Sequence, residues 1–217
     1  ANFINASRRE ELIWTSGTTE SINIVAKGMA QKLSASDEVV VTELEHHANL
    51  VTWQQACLAS GARLKVAPID DNGALNIAAF EALINANTAM VAMPHVSNAL
   101  GTVNPIQQLI AYVRSKAPQA LVMIDGAQGV AHSKVDVQAL DCDFYAFSAH
   151  KLFGPTGIGA LWGRYQVLDD WPVWLTGGEM IATVSYEAST WGPLPNRLEA
   201  GTPNIAGAIG MAAGINW

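Results

Sequence analysis

Short apolar runs alternate with helix-patterned stretches along this chain, and most of the runs give onto a polar or glycine-bearing turn. ELIWT from Glu11 leads into SGTTES and then into a periodic run through Ile22, Ile24, Val25 and Met29, which reads as strand, tight turn and helix. Val39 to Val41 form a short buried strand, followed by a helix from Ala48 to Ala59. ARLKVAPI is a further strand, DDNG a turn and LNIAAFEALI a short amphipathic helix. A buried strand then ends at Met93, and Pro105 opens a helix that runs through Lys116. ALVMID, the most strand-like run of all, terminates in Asp125, the strand from Cys142 to Phe147 delivers Lys151, and Ile158 to Gly163 returns as another strand. This alternation predicts an α/β domain with a mainly parallel sheet, in which the loops after successive strands meet on one side. Beyond Trp162 neither period is clear, so surface loop and short helix are expected, with the tryptophans there serving packing.

Half of the 217 residues are hydrophobic and 14% are charged, and no Ser/Gly-rich or Pro-rich linker divides them, so one domain with a large core is expected. Lys plus Arg number 12 against 19 Asp plus Glu, a net charge of -7 without a basic stripe, which argues against a nucleic-acid partner. No apolar run approaches the ~20 residues of a membrane span, and no basic segment precedes an apolar one at the N-terminus. A cytoplasmic protein without membrane contact is expected. Cys57 and Cys142 lie in apolar-patterned segments without metal-ligand spacing, so two buried free thiols are expected, with neither a disulfide nor a metal site. The chain begins at Ala1 and ends at Trp217 inside a helical pattern, which suggests trimmed ends.

Several polar residues fall at strand ends. Lys151 stands between Ser148 and His150 on one side and Gly154, Pro155, Gly157 and Gly159 on the other; the same pattern suits an ordinary exposed loop lysine. Gly17, Thr18 and Thr19 open a helix, where free N–H groups and the dipole favour an anion, although Ser16 or Thr18 acting as a plain cap fits equally. His46 and His47 follow a strand, as do His95 and Asn98, and these too could be solvated or turn residues. Asp125 closes an apolar strand, where an anion is costly without a cationic partner, unless it caps a helix; Gln128 could present an amide to the same ligand. Gly201 to Asn204 form a second turn suited to an anion.

One lysine, one buried carboxylate, an imidazole, two amides and several phosphate-type donors fit pyridoxal phosphate better than a nucleotide. Lysine forms a Schiff base, aspartate keeps a pyridinium nitrogen protonated, and a helix N-terminus with hydroxyls holds a phosphate. No Walker-type sequence is present, and no GxGxxG follows the first strand.

The strings SGTTESIN, ELEHHANLVTW, HVSNALGTVNP, VMIDGAQGV, DCDFYAFSAHKLFGPTGIG and EAGTPN, in that order, closely resemble the large domain of class V aminotransferase-fold enzymes, specifically cysteine desulfurases of the SufS and CsdA type. The resemblance spans nearly the whole chain. It implies the three-layer large domain of a fold type I pyridoxal-phosphate-dependent transferase, with about seven strands, here without an N-terminal segment and a C-terminal small domain. It also implies that Lys151 carries the cofactor covalently, that Asp125 pairs with the pyridine nitrogen, and that His46 stacks on the ring and assists proton transfer. By the same resemblance Asn98 and Gln128 bond near the phenolic oxygen, and Thr18, Thr19, Ser148 and His150 hold the phosphate. Thr202 would reach the phosphate of a neighbouring subunit, implying a homodimer.

The implied reaction converts L-cysteine to L-alanine and passes sulfur to an enzyme cysteine as a persulfide, for use in sulfur metabolism such as iron–sulfur cluster assembly through an acceptor protein. A selenocysteine lyase acting on L-selenocysteine, another class V lyase or transaminase, or a noncatalytic folded module are the alternatives. Three departures stand out. Ala149 occupies a position where the family usually reads glycine, and Thr176 begins a TGG where three glycines are usual. The family's nucleophilic cysteine and the arginine for the substrate carboxylate lie in a domain absent from these residues, so little turnover is expected of them alone. Neither Cys57 nor Cys142 matches the nucleophile's motif.

Overall fold

The computed structural model describes all 217 residues. Its elements in chain order are β1 (Leu12–Thr15), α1 (Thr18–Lys32), β2 (Glu38–Thr42), α2 (His47–Ser60), β3 (Arg63–Ala67), α3 (Ile77–Leu83), β4 (Thr88–Pro94), α4 (Ile106–Lys116) and β5 (Leu121–Asp125). There follow α5 (Gly129–His132), α6 (Val137–Leu140), β6 (Phe144–Ser148), β7 (Gly159–Gly163), α7 (Tyr165–Asp169), β8 (Ile181–Val184), β9 (Ser189–Trp191) and α8 (Ile205–Asn216). Seven strands form one sheet in the order β1-β7-β6-β5-β4-β2-β3. From β3 to β6 every neighbouring pair is parallel. Only β7 runs against its neighbours, β6 and β1, so β1 again points the same way as β6. The mainly parallel three-layer α/β architecture expected from the alternation is therefore present.

The strands read as continuous apolar runs because both faces of the sheet are covered. Successive residues then divide between two cores by the period of the pleat. Val39, Val41, Met90, Ala92, Met123, Phe144, Ala146 and Leu161 face one core, which α1 and α2 complete with Ile22, Val25, Met29 and Trp53. Val40, Val91, Met93, Val122, Ile124, Tyr145, Phe147 and Trp162 face the other, completed by Phe80, Leu109, Ile110, Val113 and Met211. A slip of one residue in any central strand would exchange its two sets of side chains between the cores, so register is strongly specified.

The sheet's two edges are handled with polar groups. On β3, Arg63 and Lys65 reach Glu38 of β2 at 3.0 and 2.6 Å, and such charges discourage pairing with another strand. On β1, the outward N–H of Trp14 donates to the Glu199 carboxylate at 2.6 Å. Between β5 and β6, the buried Asp143 accepts from the Val122 N–H at 2.7 Å and from Arg114 at 2.8 Å, fixing how far the two strands are offset.

Some details differ from the sequence reading. The helix expected from Ala48 begins one residue earlier, and Pro105 is the residue before the first helical one rather than inside the turn. Strand β7 starts at Gly159, not Ile158. The region after Trp162 holds the short helix expected there, and also a two-stranded ribbon, β8 with β9, for which the sequence offers no signal. Every residue of the ribbon is exposed, so no face is buried and no alternation marks it. Both cysteines are free and buried, as expected.

Trp171 illustrates how the tryptophans pack. Its ring lies edge-on to Phe144 at 4.8 Å, and its indole N–H donates to the Ile24 carbonyl at 3.2 Å. It can come so close to α1 because residue 28 is glycine: a methyl there would stand 2.2 Å from the indole nitrogen. Gly28→Ala gains about 1 kcal/mol of helix propensity, but displacing a rigid indole in a filled core costs about 1–3 kcal/mol. The substitution is expected to lower the urea midpoint; a raised midpoint would show that Trp171 does not pack as described.

Candidate active site

Because β1, β2, β4, β5 and β6 point the same way, the residues following them gather at one edge of the sheet. A cavity of about 190 Å³ opens there, lined by Thr18 and Thr19 after β1, His46 and Ala48 after β2, and Pro94, Val96 and Asn98 at and after β4. Asp125, Ala127 and Gln128 line it from β5, and Ser148, His150 and Lys151 from β6. Nine of the ten residues to which the resemblance gives a role thus surround one cavity. The tenth, Thr202, is exposed in a separate hollow beside Trp14 and Ile205. His95, also a candidate, does not line the cavity; its ring stands behind it, with Nδ1 2.9 Å from the Tyr145 hydroxyl.

Asp125 ends β5, the middle strand of the sheet, and is only 5% exposed. The alternative of a helix cap does not hold, since Gln128 is the residue before α5. The carboxylate makes one hydrogen bond, from the Ala127 N–H to Oδ1 at 2.9 Å, within the turn after the strand. Burial pushes its pKa up; the Ala127 N–H, then the nearby charges of Lys151 and His46, pull it back. Lys151 forms no salt bridge of its own, so its amine faces the cavity unclaimed. An acceptor with a free oxygen and an unpaired amine across the same space are complementary to a ligand with a ring N–H and an electrophilic carbon.

Part of the cavity lining is built from hydroxyls at the start of α1 and the end of β6. Neither Ser16 nor Thr18 caps α1; its first residue is preceded by Gly17, at φ 152°, with no side-chain cap. The Ser148 hydroxyl instead accepts from the Thr18 N–H at 2.8 Å and lies 2.8 Å from the Thr18 hydroxyl. Gly159 of β7 makes room for this turn, because a methyl there would meet the Gly17 Cα at 2.7 Å. The start of a helix with the hydroxyls of Thr18, Thr19 and Ser148 beside it suits a phosphate-sized anion. His46, also in the cavity lining, accepts the Ala48 N–H at its Nδ1, 3.1 Å away, so in its neutral form the ring carries its proton on Nε2.

Ala149 causes no distortion. Its φ is not positive, and its side chain is wholly buried in the core on the side of Tyr145 and Phe147, outside the cavity lining. The sequence reading missed the apolar wall, Pro94, Val96 and Ala127, because nothing marks such residues apart from sitting between the polar ones.

Asp125 gives a testable pH effect. Its folded pKa lies above the unfolded value, so its ionisation favours the unfolded chain: stability falls as pH rises from the ordinary carboxylate range through the raised folded pKa. Asp125→Asn keeps the bond from Ala127 and removes the charge. Without cofactor it is expected to melt above the wild type at neutral pH, with the difference vanishing in acid; a lower melting temperature at neutral pH would contradict the burial cost.

The family model for aminotransferase class-V matches residues 1–217. A cysteine desulfurase of Salmonella gallinarum is 49% identical over 219 aligned residues, covering all of this chain and 53% of that protein. Among solved structures, cysteine desulfurase CsdA of Escherichia coli superposes with a TM-score of 0.96 at 41% identity, over all of this chain and 54% of the other. The apo cysteine desulfurase of Thermococcus onnurineus NA1 gives 0.94 at 40% identity, again over all of this chain and 53% of the other. The chain thus spans about half the length of the relatives it matches. With its sheet order, its cavity at the strand ends and a family match over its full length, the chain belongs to the aminotransferase class-V family.

Proposed function

We propose that these residues are the cofactor-binding large domain of a pyridoxal-phosphate-dependent cysteine desulfurase, which converts L-cysteine to L-alanine and passes the sulfur to an enzyme cysteine as a persulfide. The observation that carries this reading is Lys151, free of any salt bridge, sharing a cavity with the buried Asp125 and with the start of a helix that presents the hydroxyls of Thr18 and Thr19. Pyridoxal phosphate, when bound, supplies an electron sink for negative charge developing at the substrate α-carbon.

The chain's own residues answer to that chemistry. Asp125 would hold a proton on the ring nitrogen, since its buried charge has no fixed cation within the chain. Thr18, Thr19, Ser148 and His150 would hold the phosphate at the α1 turn, and Asn98 and Gln128 would donate near the phenolic oxygen. Lys151 would anchor the cofactor and, once released by substrate, carry the α-proton on Nζ. His46, with its proton on Nε2, would cover the ring and assist that transfer.

The sulfur acceptor is neither cysteine described here. Cys57 and Cys142 lie outside the cavity lining, and burial pushes Cys57 up to about 11 and Cys142 higher still, so neither is a thiolate at neutral pH. The reading therefore takes the nucleophile and the substrate-carboxylate arginine from outside these residues. Thr202 would serve the phosphate of a second copy, in a homodimer; its exposure away from its own cavity supports that placement. No helix is long and apolar enough to cross a membrane, and cytoplasmic work with a sulfur-acceptor protein, such as iron–sulfur cluster assembly, is part of the proposal.

Pyridoxal phosphate added to the full-length protein is expected to give a lysine-linked absorbance that disappears in Lys151→Ala. With a thiol reductant present to reduce the persulfide, L-cysteine should then yield alanine and sulfide. Persistence of the absorbance in the variant would overturn the role of Lys151, and selenide from L-selenocysteine without sulfide from cysteine would make the protein a selenocysteine lyase instead.

A further inference from the structure

Directly before His46, the loop between β2 and α2 holds a second carboxylate that the proposed reaction does not use. Glu45 is half-buried, and both of its oxygens are taken. Oε1 accepts from the Thr42 hydroxyl at 2.7 Å and from the Thr42 N–H at 3.2 Å, and Oε2 accepts from the Asn49 side-chain amide at 2.6 Å. The chain of bonds continues into the core: the Asn49 carbonyl oxygen accepts from the indole N–H of Trp53 at 2.9 Å, and Thr42, Asn49 and Trp53 are all buried.

The bonds from the Thr42 N–H, the Asn49 amide and the Trp53 indole each have only one possible direction. An indole N–H can only donate, so Asn49 must turn its oxygen to Trp53 and its NH₂ to Glu45. The Thr42 oxygen accepts from the Leu44 N–H at 3.2 Å, so its hydrogen is free to go to Glu45. Both oxygens of residue 45 must therefore accept. A glutamine of the same shape would set an NH₂ against either the Asn49 NH₂ or the two Thr42 donors.

We infer that Glu45 is a positioning residue: as an acceptor at both oxygens it ties the β2–α2 loop to Thr42 and, through Asn49, to Trp53, and so fixes the ring orientation and tautomer of His46 at the cavity wall. His46 is exposed; its side chain has a single hydrogen bond within the chain, from the Ala48 N–H, and its backbone carbonyl accepts from the N–H of Asn49 at 2.8 Å, so its seat depends on where Asn49 is held. The anchor comes from its neighbour. Loss of water around the Glu45 carboxyl raises its pKa, with Asp125's charge adding to that, while the bonds from Thr42 and Asn49 oppose it. Burial thus disfavours the charge of this carboxyl, while the Thr42 N–H and the Asn49 amide each need an acceptor there in either protonation state, as expected of a group retained for the direction of its hydrogen bonds. The consequence for catalysis rests on the reading that His46 covers the cofactor.

The test is an exchange of acceptor and donor in the full-length protein. Glu45→Gln sets donor against donor, and Asn49→Asp sets acceptor against acceptor. The double variant restores every bond, with the roles of the two side chains exchanged. Its amide at position 45 would donate to the carboxylate at position 49, and the amide oxygen would still accept from Thr42. The carboxylate at position 49 would still accept from Trp53. The primary readout is the ring-nitrogen NMR shifts of His46 in cofactor-free, ¹⁵N-histidine-labelled protein, assigned by their loss in His46→Gln. Wild type and the double variant are expected to show one neutral tautomer protonated at Nε2, and each single variant an averaged pair. Loaded with pyridoxal phosphate, each single variant should lose about tenfold in kcat and the double variant should recover most of it.

An unchanged His46 signature in Glu45→Gln would overturn the inference, even if the melting temperature fell, because Glu45 would then only stabilise the fold. Failure of the double variant to restore the signature would do the same. Ring shifts that move and recover while kcat does not would leave Glu45 as inferred and instead overturn the role given to His46. Should the single variants not fold, Thr42→Val removes one donor from the same carboxylate; a His46 signature unaltered by it would equally defeat the proposal.

Discussion

The constraint on which the site depends is the burial of one carboxylate, Asp125, at the end of the middle strand of a sheet covered on both faces. An ionised group there loses its water, and within the chain it recovers one backbone hydrogen bond and the more distant charges of Lys151 and His46. That arrangement is poor for stability and good for holding a cationic ring nitrogen. Burial costs of this kind are tolerated where the structure around them is stiff enough to carry them, and here the stiffness comes from two filled cores on either side of the strand.

The sheet turns that local chemistry into a site. All its strands but one point the same way, and the exception, β7, sits between β6 and β1 without reversing β1 relative to the rest. Strand β7 pairs with both β6 and β1, which brings the α1 turn beside Ser148, where the Thr18 N–H donates to its hydroxyl. Glycines at 17 and 159 allow that approach, for a steric reason specific to the two backbones meeting there. On the opposite flank, the hydrogen bonds from Trp53 through Asn49 and Glu45 to Thr42 give the loop bearing His46 a fixed seat on the core.

Much of this was legible in the residues. Apolar runs ending in Asp125, Ser148 and Met93 gave the strands, because strands covered on both faces are apolar throughout. The polar residues after those runs gave nine cavity-lining positions, because parallel strands must present their ends together. The ribbon formed by β8 and β9 was not legible: with all its side chains in solvent, no pattern of burial is written into it. His95 was a fair candidate by position and stands instead against the Tyr145 hydroxyl, outside the cavity lining. Ala149 looked like a disturbance and is an ordinary core residue.

The sequence by itself determined the kinds of group available and their order along the chain: a lysine after one strand, an aspartate ending another, and hydroxyls at the start of a helix. These follow from local patterning, which acts over a few residues. Only the tertiary structure decided that β1 joins the sheet through β7, that Thr18 and Ser148, 130 residues apart, share a hydrogen bond, and that Thr202 stands away from its own cavity. Those outcomes depend on long-range strand pairing and on the packing of two cores, where the position of each residue is set by neighbours distant in the chain.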